Sequence, residues 1–263
     1  MTDQTPLDRA HAAMQANPDD EAARLRFYER LADAELFLLL FDEPQGEQVM
    51  PQVFDVEEGR VVVVFDREER LAEFAKETVP YVALSGRLVV EMLAGQGIGL
   101  GVNLSVAPSS ILIPAEAVDW LAEMLQQRPT EVEARPEELR APKGLPEPLL
   151  SALDAKLAAA AGLARMAYLA GVTYEGGAQG HMLAFIDPAP GAEGALAQAA
   201  GEALTFSGIE AGAMDVAFFA ASDPVSARLA KVGLRFDLPE PQAAAEAPGA
   251  RPGMDPDKPP KLH

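Results

Sequence analysis

Between Arg128 and Pro146 the apolar periodicity of this chain stops. Pro129, Pro136, Pro142 and Pro146 fall in this charged stretch. Each proline removes a backbone donor and disfavours a helix interior or a central strand. The chain therefore divides into a block over residues 1–128, a Pro-rich linker over 129–145 and a second block over 146–239. Each block is long enough to bury a core of its own. Residues 239–263 hold seven prolines and little apolar pattern, so residues 240–263 read as a disordered tail.

The first block opens with two helices. Thr5 caps the first, with Pro6 at its first position and Asp8 at its third, and Leu7, Ala10, His11 and Met14 give it one apolar face. Asn17 and Pro18, with Asp19, Asp20 and Glu21, read as the start of the second, whose buried face is Leu25, Tyr28, Leu31 and Ala32. Strand signals follow: the apolar run Leu36 to Phe41, then Val49 to Val56 and Arg60 to Phe65 around the turn Glu57-Glu58-Gly59. Asp66 and Glu69 suggest a capping box for a helix through Leu71 and Phe74. Pro80 to Leu84 reads as a strand, Ser85-Gly86 as the start of a short helix, and Ile98 to Asn103 and Ser110 to Ile113 as strands. A wide-striped helix after Pro114 carries Val118, Trp120, Leu121 and Leu125.

The second block reads as helix (Leu149, Leu150, Leu153, Leu157), strand (Ala164 to Tyr174) and strand (His181 to Asp187), with a glycine-rich hairpin from Gly176 to Gly180 between the strands. A helix through Leu196, Ala200 and Leu204, a strand from Ala213 to Ala220 and a helix from Ser222 to a Gly233 cap follow. Leu234, Phe236 and Leu238 then alternate with Arg235 and Asp237 as a last half-buried strand. No internal repeat links the blocks. The fold class is α+β: two modules, each a small mixed sheet covered by helices.

Composition narrows the function. The net charge is −20, and residues 1–135 hold 25 acidic against 11 basic side chains. Such a field repels phosphate backbones and anionic lipid, so neither nucleic acid nor membrane is an expected partner; another protein is, and a basic surface on it would suit the field, against the simpler account that the acidity only keeps the chain in solution. There is no cysteine, hence no disulfide, thiolate nucleophile or cysteine-based metal site. The N-terminus lacks the basic and apolar regions of a signal peptide, and no run approaches the roughly 20 apolar residues of a membrane span. A cytoplasmic protein is expected.

Catalytic signatures are missing, and no catalytic, cofactor-binding or metal-binding residue is assigned. The histidines are His11, His181 and His263, with no metal-ligand spacing and no nucleophile elbow nearby. The glycines from Gly95 to Gly101 follow a helix and enter a strand, the reverse of a phosphate loop, and read as a helix cap and a close-packed strand. Asp19-Asp20-Glu21 and Glu57-Glu58 match helix starts and turns better than a cation site. Two residues are worth placing in space. Arg87, at a strand-to-helix turn with Ser85 and Gly86, could hold an anion or a partner's carboxylate, against the simpler local salt bridge. Trp120 could touch a partner, against core or interdomain packing.

Several segments in order resemble the SseB family, bacterial proteins named for enhanced serine sensitivity. In the first block they are Arg26-Phe27-Tyr28-Glu29-Arg30-Leu31, Ala34-Glu35-Leu36, Pro80-Tyr81-Val82-Ala83-Leu84 with Ser85-Gly86-Arg87, Ile98 to Asn103, and Pro114-Ala115-Glu116. In the second they are Pro146 to Leu150, Ala167-Tyr168-Leu169 and Met214-Asp215-Val216. The resemblance implies N- and C-terminal domains of that family over about residues 15–239, an α+β fold, no established enzyme activity and no catalytic residues to carry over. The expectation is a non-enzymatic interaction or regulatory protein. A small-molecule sensor of amino-acid type, with its ligand between the modules or near Arg87, is the alternative. A third reading is a hydrolase or transferase with an unrecognised Ser/Asp/Glu arrangement, which a pocket holding two buried, mutually close titratable groups would favour; His11 or His181 gathered with a serine and a carboxylate in a sheltered cavity would overturn the non-catalytic expectation.

Overall fold

The computed structural model describes residues 4–43, 49–57, 59–126, 136–175, 177–208 and 214–240. Helix α1 (Pro6–Ala16) begins as its sequence dictates. Thr5 Oγ1 accepts from the Asp8 amide while the Asp8 carboxylate accepts from the Thr5 amide, a closed capping box. Helix α2 (Glu21–Asp33) starts later than expected. Asn17 ends α1, and Asp20 is the N-cap of α2, taking the Ala23 amide at 3.2 Å. A carboxylate beats the Asn17-Pro18 start because it meets both the free amides and the positive helix end.

The first sheet joins β1 (Glu35–Leu39), β2 (Val53–Val56), β3 (Gly59–Phe65), β4 (Tyr81–Ser85), β5 (Ile98–Val102) and β6 (Ile111–Ile113). Its order is β4-β1-β3-β5-β6, with β2 beside β1 on β3. Strands β3 and β5 are parallel and the other pairings antiparallel. Val61 to Phe65 are all buried because both faces of β3 are covered, which explains the unbroken valine run. Helix α3 (Glu68–Ala75) covers one face through Leu71 and Phe74. Helices α1, α2, α4 (Gly86–Leu93) and α5 (Ala115–Gln126) cover the other.

The second sheet holds β7 (Pro136–Arg140), β8 (Met166–Tyr174), β9 (Gln179–Ile186), β10 (Met214–Phe219) and β11 (Leu234–Asp237), in the order β10-β9-β8-β11 with β7 also on β8. Only β9 and β10 are parallel, joined through the crossover helix α7 (Glu193–Phe206). Helices α6 (Glu147–Ala159) and α7 pack on one face, and α8 (Pro224–Val232) on the other. The molecule is thus mixed α/β, with two mixed sheets.

Four local expectations are corrected. The stretch expected as linker contains β7, an edge strand whose Pro136 sits at an irregularity in the ladder, where a missing donor is tolerated. Asp66 caps nothing: Arg67 is the N-cap of α3 and Asp66 faces a buried network. Gly233 ends α8 at φ −77°, so its role is not left-handed geometry. A Cβ there would lie 2.9 Å from the Leu229 carbonyl and 3.1 Å from Tyr168, so close packing requires the glycine. Leu234 is exposed although Phe236 and Leu238 are buried, because β11 is an edge strand that reaches the core only at its later residues. The tail expected over 240–263 lies, from residue 241 on, outside the described residues.

Candidate functional site

A connected polar cluster lies where the modules meet. Ser85 accepts from the Leu88 amide and starts α4, which points Arg87 across the junction. Gly86 is needed there for approach, since a Cβ would sit 1.9 Å from the Leu31 carbonyl of α2. The Arg87 guanidinium grips Glu202 of α7 with two parallel hydrogen bonds, at 2.8 and 2.9 Å, and lies 3.6 Å from Asp33 of α2. The expected salt bridge exists, but it is not local: it spans the two modules.

Lys156 of α6 completes the junction. Its Nζ donates to Asp33 at 2.7 and 2.9 Å and to Glu202 at 3.0 Å, and stands 3.8 Å from Glu29. Lys156, Glu202 and Glu29 are all buried. Gln198 ties the cluster to α5, donating to Glu202 and to the Leu125 carbonyl. Burial disfavours ionised Glu202, but Arg87 and Lys156 outweigh it and hold its pKa below the ordinary glutamate range. Burial opposes charge on Arg87 too, and pairing with Glu202 again wins and raises its pKa. Glu29 goes the other way: burial raises its pKa despite Lys156. Apolar contact reinforces the junction, because Phe206 at the end of α7 is buried in the core of the first module.

Beside the network a cleft of about 470 Å³ opens. Arg87, Val90 and Glu91 of α4, Ala122, Leu125 and Gln126 of α5, and Gln198 of α7 line it. Its floor is apolar and its rim carries both charge signs.

A second buried cluster joins the N-terminus to the first sheet. Arg70 donates to Asp8 at 2.5 and 3.0 Å and to Asp66 at 2.7 Å. Thr5 donates to Asp66, Ser109 to Asp8 at 2.5 Å, and Asn103 to Ser109. Burial works against ionised Asp8, yet the bonds from Arg70, Ser109 and the Thr5 amide hold its pKa far below the usual carboxylate range. His11 packs on Phe27 in the same region. A serine, a carboxylate and a histidine are therefore neighbours, but they are not arranged as a triad. The Ser109 proton is committed to Asp8, and the His11 ring makes no full hydrogen bond, the Pro108 carbonyl offering only weak support. Burial lowers the His11 pKa. Asp8, His11 and Ser109 are at most 1% exposed, so water and substrate do not reach them.

The other candidates fall to structural roles. Trp120 packs edge-on against Tyr28 at 5.3 Å and joins the core. Gly95 and Gly97 take positive φ after α4, and a Cβ on Gly99 would lie 2.5 Å from the Ile113 carbonyl, so the glycine run is a turn and a tight strand. His181 lies within β9, its Nε2 3.1 Å from the Lys143 carbonyl. Asp20 is spent on capping. Glu58 and His263 lie outside the described residues. Among the described residues no group of three or more His, Asp or Glu side chains is placed to hold a metal ion.

Sequence reasoning passed over Glu29, Asp33, Lys156 and Glu202. Two signals were present: Glu29 follows Leu25 by four residues on the buried face of α2, and Lys156 interrupts the leucine stripe of α6 between Leu153 and Leu157. Residues 7–120 match the family model described as SseB protein N-terminal domain. No curated protein and no solved structure matches the chain.

Proposed function

Because its first module matches the SseB protein N-terminal domain over residues 7–120, we propose that the chain is a non-enzymatic interaction or regulatory protein of the SseB type. The observation that carries this reading is where its ionisable groups are spent. Arg87, Lys156, Asp33 and Glu202 hold helices of two modules together, and Asp8, Asp66 and Arg70 hold α1 and α3 to the sheet. Groups paired in this way fix a surface. That surface is acid-rich in the first module, so the partner is a protein with a basic face, met in the cytoplasm. No helix among the described residues is long and apolar enough to cross a membrane. Affinity capture with the full chain from native extract should recover a basic partner at low salt and lose it as salt is raised, since exposed charge pairs are screened beyond about 8–10 Å. Recovery of nothing at low salt would refute the reading.

The cleft beside Arg87 favours a second reading, a small-molecule sensor of amino-acid type. Its mixed-sign rim and apolar floor suit a small zwitterion. A thermal-shift screen of amino acids decides between the two, because a ligand bound only to the folded chain raises its melting temperature.

A further inference from the structure

Five ionisable groups converge at the junction, and their charges do not balance. Glu29 and Asp33 come from α2 and Glu202 from α7, three carboxylates against Arg87 of α4 and Lys156 of α6. Glu202 takes both cations at hydrogen-bond distance and Asp33 takes Lys156. Glu29 is left over: it is 1% exposed, its Oε1 has no hydrogen-bond partner, and Lys156 Nζ stays 3.8 Å away. An ionised carboxylate in that position costs several kcal/mol that a distant ammonium does not return, whereas a neutral carboxyl there leaves two anions facing two cations.

We propose that the module junction is a proton-operated latch: Glu29 is protonated while the modules are docked, and loss of that proton loosens α7 and α6 from α2. Among the described residues, the charged groups acting on Glu29 are Lys156, Arg30, Asp33 and Glu202. Asp33 precedes Ala34 one turn along α2, Arg30 acts from the half-buried side of the same helix at longer range, Lys156 faces it from α6, and Glu202 faces it from α7. Arg87 on α4 is engaged by Glu202. On α1, Asp8 and His11 turn instead to Arg70, Ser109 and Phe27. The sign follows by linkage. A group whose pKa is higher in the folded state contributes its full stability at pH below the ordinary glutamate range and loses it as pH rises through the folded value. Acidification therefore tightens the junction and alkalinisation frees it. The inference does not depend on what the protein binds.

The test compares the full-length chain with Glu29→Gln, the uncharged isostere of the protonated side chain. The wild-type melting temperature should fall with rising pH relative to the variant, by about 2–4 °C for each kcal/mol released in a chain of this size. The infrared band of a protonated carboxyl should be present in the wild type at neutral pH and absent from Glu29→Gln. Should the variant fail to fold, the band in the wild type and uptake of a proton on its refolding in a pH-stat decide the matter. Parallel melting curves for the two proteins, or a wild type without the protonated band at neutral pH, would overturn the latch.

Discussion

Asp8 shows how little a residue's type says about its task. In the sequence it is the third residue of a capping box, and the structure keeps that role. It is also the centre of a buried network, taking hydrogen bonds from Arg70 and Ser109 across more than 60 positions of chain. Breaking a buried pair from one side is costly because the remaining charge has no water to turn to. Arg70→Met should therefore lower unfolding free energy by about 3–5 kcal/mol, read in urea titrations. The wild type should show the same dependence in acid. The Asp8 pKa is depressed on folding, so its contribution is present above the ordinary aspartate value and is lost as pH falls toward the folded one. A variant as stable as the wild type at neutral pH would mean that the network contributes nothing.

At the scale of elements, helix and strand identities were legible because they rest on local signals. The valine run of β3, the Thr5 box of α1 and the stripe of α5 each state their own structure. The edge strand β7 was not legible, because its prolines deny it a strand signal and only pairing with β8 makes it one. Capping at Asp66 misled for a related reason: the local bond was available, but Arg70 and Thr5 offered the carboxylate stronger partners. Glycines separate local from tertiary demands most cleanly. Gly86→Ala would gain up to about 1 kcal/mol of helix propensity but drive a Cβ into the Leu31 carbonyl, a backbone atom that does not yield. It should destabilise by at least about 1–3 kcal/mol, whereas Gly194→Ala in α7, where a Cβ meets open space, should be neutral or stabilising. Equal melting temperatures for the two variants would refute the close approach of α4 to α2.

At the scale of the molecule, Phe206 and the Arg87–Glu202–Lys156 network bridge the two modules. Glu202→Leu removes the acceptor shared by both cations and should cost about 3–5 kcal/mol. The denaturation curve should also split from one cooperative transition into two as the modules uncouple; a single unshifted transition would show that the junction carries no stability. By itself the sequence determined the α+β class, the order of nearly every element and the family resemblance of the first module, since turns, caps and apolar periods act within a few residues. Only the tertiary structure decided what Arg87 grips, that Glu29 and Lys156 are buried, and that a neighbouring serine, aspartate and histidine form a closed network. Those outcomes join groups 62 to 123 residues apart, and a pairing across that distance is set by how helices pack, not by any pattern along the chain.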